Sequence, residues 1–146
     1  MTKPGADNLI SAVAKSLNRE LKINSFNDRL IMQKGCFLLN EMGVLPRYNF
    51  SIYIRGPYSS ELADDYYTIL GSGNFSYDTD VDESYISELS KIMAKGPSYL
   101  EAYSTLILAS RYNPKMNEDE LAAFVLEMKP KLKKEIAEAA EYLTSR

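Results

Sequence analysis

A mainly α-helical domain is what this sequence predicts: a compact bundle of six to seven helices with a small two- or three-stranded β-sheet. Three observations carry that expectation. Apolar residues recur at helical spacing through six or seven segments. Short links carrying Ser, Asp, Asn, Gly or Pro separate those segments, as helix ends require. One stretch, Tyr48 to Ile54, alternates aromatic and β-branched side chains instead and reads as a strand. Short helices beside a small hairpin would also suit a winged-helix-like arrangement.

The elements follow in order. The first helix carries Ile10, Val13, Ala14, Leu17 and Leu21, with Asp7 as its expected N-cap. The second starts after Ser25 and runs through Leu30, Ile31, Phe37, Leu38 and Met42, with Gly43 at C′ and Pro46 as a stop. The strand 48–54 should end at Gly56-Pro57. Ser59 then caps a third helix with Leu62, Ala63, Tyr66, Ile69 and Leu70. Gly71-Ser-Gly-Asn74 breaks it, and Phe75 to Asp80 is a loop or a second strand pairing with 48–54. Asp80 to Glu83 opens a helix with Ile86, Leu89 and Ile92, closed by Gly96-Pro97. Ser98-Tyr-Leu-Glu101 and Asn117-Glu-Asp-Glu120 each have the spacing of a capping box before the next two helices. Pro130 opens the last, with Leu132, Ile136, Ala139 and Leu143.

Composition narrows the chemistry. The 146 residues fit one domain, residues 1–146, large enough to bury a core without staples. The chain has no His, which excludes Ser-His-Asp and Cys-His catalysis, and its single Cys, Cys36, permits no intrachain disulfide. One Cys without His also excludes the usual structural zinc sites. No apolar run approaches ~18 residues and the start has no signal-peptide pattern, so a cytoplasmic protein without membrane contact is expected. A net charge of −3 disfavours a dedicated nucleic-acid binder. Lys129, Lys131, Lys133 and Lys134 cluster, but Glu127, Glu135 and Glu138 interleave with them, as on a solvated helix face.

The richest stretch is Phe50 to Tyr67, where a strand, a Gly-Pro turn and an acidic helix start share eighteen residues with clustered aromatics and charges. Local structure accounts for Gly56, Pro57, Ser59 and Glu61: backbone freedom, a fixed φ, a helix cap and first-turn electrostatics. It leaves Arg55 and Tyr58, both common recognition residues when exposed, or else Arg55 pairs with Asp64 or Asp65. Gln33 and Lys34 interrupt the apolar stripe of the second helix. Either Gln33 bonds a backbone group inside the fold while Lys34 snorkels, or both reach the turn at 54–59 and form a recognition site with it. Gly35 at mid-helix implies close packing, and Cys36 reads as a small buried hydrophobe. Glu61 and Asp65 share a helix face and could hold Mg²⁺ through water, although a solvated acidic face is the preferred reading; Asp78, Asp80, Asp82 and Glu83 lack the glycine and terminal glutamate of a calcium loop, and helix capping suffices for them. Tyr48, Tyr53, Tyr58, Tyr66 and Tyr67 suit either a dimer interface near the sheet or an aromatic core against it.

Asp28-Arg-Leu-Ile-Met-Gln-Lys-Gly-Cys-Phe-Leu-Leu39 resembles the "RLxLQKLxYLL" helix of the YwgA-like family of prokaryotic proteins. Phe50-x-Ile-Tyr-Ile-Arg-Gly-Pro-Tyr-Ser-x-Glu-Leu62 resembles that family's "FxxYxxGPYSxEL" segment, and the tail from Leu100 is similar to its "LExxATI…KP…A…L" ending. A looser similarity extends to the Panacea, or SocA-like, domain. Gly35 and Cys36 stand where that helix has an apolar pair. The resemblance implies a small helical domain found in mobile or defence-linked settings, without a catalytic residue, and the Panacea relatives imply a protein-binding neutraliser or adaptor.

The function expected is therefore a non-catalytic protein-interaction or regulatory domain, antitoxin- or adaptor-like, with a protein partner, a homodimer being compatible. Its recognition surface would comprise Gln33, Lys34, Arg55, Gly56, Pro57, Tyr58, Ser59, Glu61 and Asp65, with no metal and no cofactor. A winged-helix-like DNA-binding regulator reading through the 117–143 helix pair is the alternative. A Mg²⁺-dependent phosphoryl or phosphodiester enzyme using Glu61, Asp64 and Asp65 is the third.

Overall fold

In the computed structural model, residues 2–145 are described and fold mainly as helix, with one small two-stranded sheet. The order is α1 (Ala6–Leu17), α2 (Phe26–Glu41), β1 (Ser51–Tyr53), β2 (Gly56–Tyr58), α3 (Ser60–Gly71), α4 (Glu83–Met93), α5 (Pro97–Tyr112), α6 (Glu118–Met128), a 3-10 turn (Pro130–Leu132) and α7 (Lys133–Thr144).

Two helices take the centre. Residues Met32 to Asn40 of α2 are all buried, and α5 packs against α2, α4, α6, α7 and both strands. A helix packed against neighbours on most sides has little solvent-facing surface, which explains why the sequences of α2 and α5 lack a clean polar face. Gly35 is the narrow point of this packing. A Cβ built there would lie 2.9 Å from Val13 Cγ1 and 3.2 Å from Met93 Cε, so α1 and α4 close onto α2 only because the side chain is missing. The amphipathic helices α1, α4 and α7 lay one face each on this centre through Leu9, Ile10, Val13, Leu89, Ile92 and Ile136.

Several helix ends follow the sequence. Ser25 accepts from the Asp28 N–H and Ser59 from the Leu62 N–H, each capping its helix. Asn117 and Glu120 complete a reciprocal capping box at α6. Others differ. The N-cap of α1 is Gly5, and Asp7 lies in the first turn. The N-cap of α5 is Gly96, which has no side chain to cap with; Ser98 lies inside the first turn, and the Glu101 carboxylate of the expected box pairs with Lys129 at 2.8 Å instead. Pro130 begins a 3-10 turn rather than α7 itself.

The sheet differs most. The expected strand 48–54 is a hairpin's first arm, and Gly56-Pro57 does not end it but forms the second arm. Ser51 pairs with Tyr58, Ile52 with Pro57 and Tyr53 with Gly56, leaving Ile54-Arg55 as a two-residue turn. Proline has no N–H, so it fits the register only opposite Ile52, at the pair that exchanges no hydrogen bonds. Phe75 to Asp80 is a loop, not a strand. It is held by Tyr77 Oη donating to the Leu21 carbonyl at 2.9 Å and by Asn8 bonding Thr79 and Asp80. No helix among the described residues is long and apolar enough to cross a membrane.

Candidate functional site

The site is built on the hairpin. Gly56 has φ +108°, a conformation that favours glycine, and it brings the chain back over α5 with Lys34 Cε and Thr105 Oγ1 beneath it. Tyr53 and Tyr58 lie diagonally on the same sheet face in this register, and their rings stack 5.1 Å apart at 10°. Ile54, at the turn, is 87% exposed, and Tyr53 beside it is 60% exposed. Hairpin turns normally carry Asn, Asp or Gly, so a bare isoleucine there has no local structural reason.

Phe26 faces this tip from the first turn of α2 and is 53% exposed. Between Phe26, the hairpin and Met128 at the end of α6 lies an apolar groove of about 700 Å³, lined also by Leu30, Ile52, Arg55 and Pro57. Two guanidiniums flank the Phe26 ring, Arg55 at 5.7 Å and Arg29 at 5.8 Å from its centroid. Neither pairs with a carboxylate within 4 Å among the described residues; Arg29 donates to the Ile23 carbonyl at 2.8 Å.

A polar layer supports the groove from behind. The Gln33 side chain clamps the backbone of Ser59: its Nε2 donates to the Ser59 carbonyl at 2.9 Å and its Oε1 accepts from the Ser59 N–H at 2.8 Å. Lys129 Nζ donates to the Ile54 carbonyl at 2.6 Å and to Glu101 at 2.8 Å, fixing the turn to α5 and to the end of α6. Lys34 is only 3% exposed and makes no ion pair among the described residues. Burial lowers its pKa; Glu101 opposes that effect, and the charges of Lys129 and Arg55 add to it.

The expected recognition residues thus divide. Arg55 lines the groove in the open, and Tyr58 lines it half-buried. Glu61 is exposed but turned to Lys3, at 3.2 Å. Gln33, Lys34, Gly56, Pro57, Ser59 and Asp65 are buried. The Lys34 stem is buried, and Arg55 makes no ion pair with Asp64 or Asp65. The Asp65 carboxylate instead accepts from Tyr48 Oη at 2.6 Å and from the Lys3 N–H at 3.2 Å. Burial, then that carboxylate, pushes the Tyr48 phenol far up. Glu61, Asp64 and Asp65 therefore do not converge, and no three His, Cys, Asp or Glu side chains among the described residues could share a metal ion. Burial drives the Cys36 thiol well above its ordinary pKa, leaving it unreactive. Of the tail lysines, Lys131, Lys133 and Lys134 are exposed while Lys129 is buried, so the solvated-face reading fails for Lys129 alone. Of the five clustered tyrosines, Tyr48 and Tyr66 belong to the core and Tyr53 and Tyr67 to the surface.

Sequence reasoning missed Phe26, Ile54 and Met128 as groove residues. Ile54 had a legible signal, an apolar β-branched residue in a two-residue turn. Phe26 and Met128 had none, because each sits at the end of an apolar helical pattern that accounts for it.

No protein-family model, curated protein or solved structure matches the chain.

Proposed function

We propose that this chain is a non-catalytic protein-interaction domain of regulatory, antitoxin- or adaptor-like type, and that its contact face is the groove between Phe26, the hairpin and Met128. The observation that carries this reading is the convergence of Phe26, Tyr53, Ile54 and Met128, all exposed, on one groove. A contiguous exposed apolar surface is expensive to keep in water and marks contact sites. Its aromatics and arginine are the residue types that dominate binding energy at protein interfaces. Behind them, Gln33, Lys129 and Glu101 fix the hairpin before any partner arrives, which reduces the ordering cost of binding. The YwgA-like motifs agree with this reading: Gln33 of the "QK" pair clamps the Ser59 backbone, and Gly56, Pro57 and Tyr58 of "GPYS" form the second arm of the hairpin.

The test is affinity capture with the tagged chain, with and without nuclease, against an Ile54→Ser, Tyr53→Ser double variant whose unfolding curve matches the wild type. A protein that binds stoichiometrically, survives nuclease, fails to bind the variant and re-forms the complex from purified components is the expected result. Recovery of nucleic acid alone, lost with nuclease and high salt, would instead move the reading to the DNA-binding alternative.

A further inference from the structure

We propose that the groove takes a peptide segment of a protein partner in which an acidic side chain lies within one or two residues of a large apolar one. This rests on the interaction-domain reading above and names the chemistry of its ligand. The apolar half follows from the lining: Phe26, Ile54, Tyr58 and Met128 offer an anchor site for an aromatic or long aliphatic side chain.

The acidic half follows from charge. The chain as a whole carries −3, yet the groove has no acidic residue in its lining. Arg55 lines the groove, Arg29 lies beside that lining, and both guanidiniums sit against the Phe26 ring with no carboxylate within 4 Å among the described residues. Behind them Lys34 and Lys129 face Glu101 as the one carboxylate paired in that layer. Asp28, next to Arg29 in sequence, is already held by Arg19 at 2.8 Å and neutralises nothing at the groove. Arg55 in the lining, Arg29 beside it and the buried Lys34 and Lys129 behind it, set against Glu101, make the groove's surroundings richer in cations than in carboxylates over an apolar floor. A carboxylate entering beside Phe26 would meet two planar guanidiniums, the geometry best suited to it.

A nucleic acid is the less suitable occupant. Tracking a phosphate backbone needs a row of cations along a path, whereas these two converge on a single ring. The tyrosines that would stack on bases are already stacked on each other.

The experiment is selection of a phage-displayed random dodecapeptide library on the immobilised full chain, followed by fluorescence-polarisation titration of the selected peptides. The expected result is enrichment of sequences with Asp or Glu next to an aromatic or large aliphatic residue. Their Kd should weaken about fivefold in Arg55→Gln, and about as much again in Arg29→Gln, as for partly exposed charge pairs. Arg55→Gln alone suffices if Arg29→Gln, which gives up its bond to Ile23, does not fold. Apolar peptides with no acidic preference, binding Arg55→Gln and wild type equally but lost in the Ile54→Ser, Tyr53→Ser variant, would overturn this inference and leave the interaction domain standing. Peptide binding indifferent to Ile54 and Tyr53, or no enrichment at all, would overturn both. Displacement of selected peptides by oligothymidylate would assign the face to nucleic acid and also overturn the inference.

Discussion

Lys129 Nζ donates to the Ile54 carbonyl at 2.6 Å, so a lysine just past the end of α6 holds the turn of a hairpin 75 residues earlier in the chain. The same ammonium meets Glu101 at 2.8 Å. Lys34, the second buried lysine in this layer, has no such partner. The two therefore answer differently to the loss of their charge.

Replacing Lys129 by Met leaves the Ile54 carbonyl and the Glu101 carboxylate short of a donor, which should cost about 2–3 kcal/mol. Lys34→Met removes a charge whose burial is not repaid by an ion pair, and should be neutral or stabilising by about 1 kcal/mol. Urea unfolding at pH 7 reads both. A Lys34→Met variant less stable than Lys129→Met would show that this account has the two lysines reversed.

Gln33 should behave as a structural clamp. Its amide satisfies both backbone groups of Ser59, and Ser59 joins β2 to α3. Gln33→Leu keeps the volume but leaves the buried Ser59 N–H unpaired, while the Ser59 carbonyl keeps the Ala63 N–H at 3.1 Å, a loss of about 2–3 kcal/mol. Ser59→Ala, which removes only the helix cap, should cost about 1 kcal/mol. If Gln33→Leu cost no more than the cap variant, the clamp would carry no weight in the fold.

Acid stability should depend on Asp28. Its carboxylate accepts from Arg19 Nη1 at 3.1 Å and Nη2 at 2.8 Å and from the Lys22 N–H at 2.8 Å, closing the α1–α2 link. The bond from Arg19 holds its pKa below the usual carboxylate value, despite the opposing effect of burial. A depressed folded value means that the unfolded chain binds the proton more readily. This stabilisation is full above the unfolded value, near pH 4, and disappears as pH falls through the folded one. Asp28→Asn should lower stability at pH 7 by about 1–3 kcal/mol and flatten the acid side of the stability curve. Denaturant melts from pH 7 down to pH 2 test this; parallel curves for variant and wild type would remove Asp28 from the account.

The sequence by itself determined the helices and many of their ends. Apolar periodicity and capping residues act within one or two turns, and Ser25, Ser59, Asp82 and Asn117 cap as their positions imply. It also determined the absence of histidine chemistry. Only the tertiary structure decided where the polar residues go. Gln33 faces Ser59 and Lys129 faces Ile54 because α2, α5 and the end of α6 come together there, and the relevant separations are 26 and 75 residues. Strand pairing was settled in the same way. Gly56-Pro57 reads locally as a stop, yet the hairpin forms because Gly56 folds back over α5 and proline falls at the pair that needs no N–H. The groove belongs to this second class, since Phe26, Ile54 and Met128 are each explained by their own element and become one surface only when three elements meet.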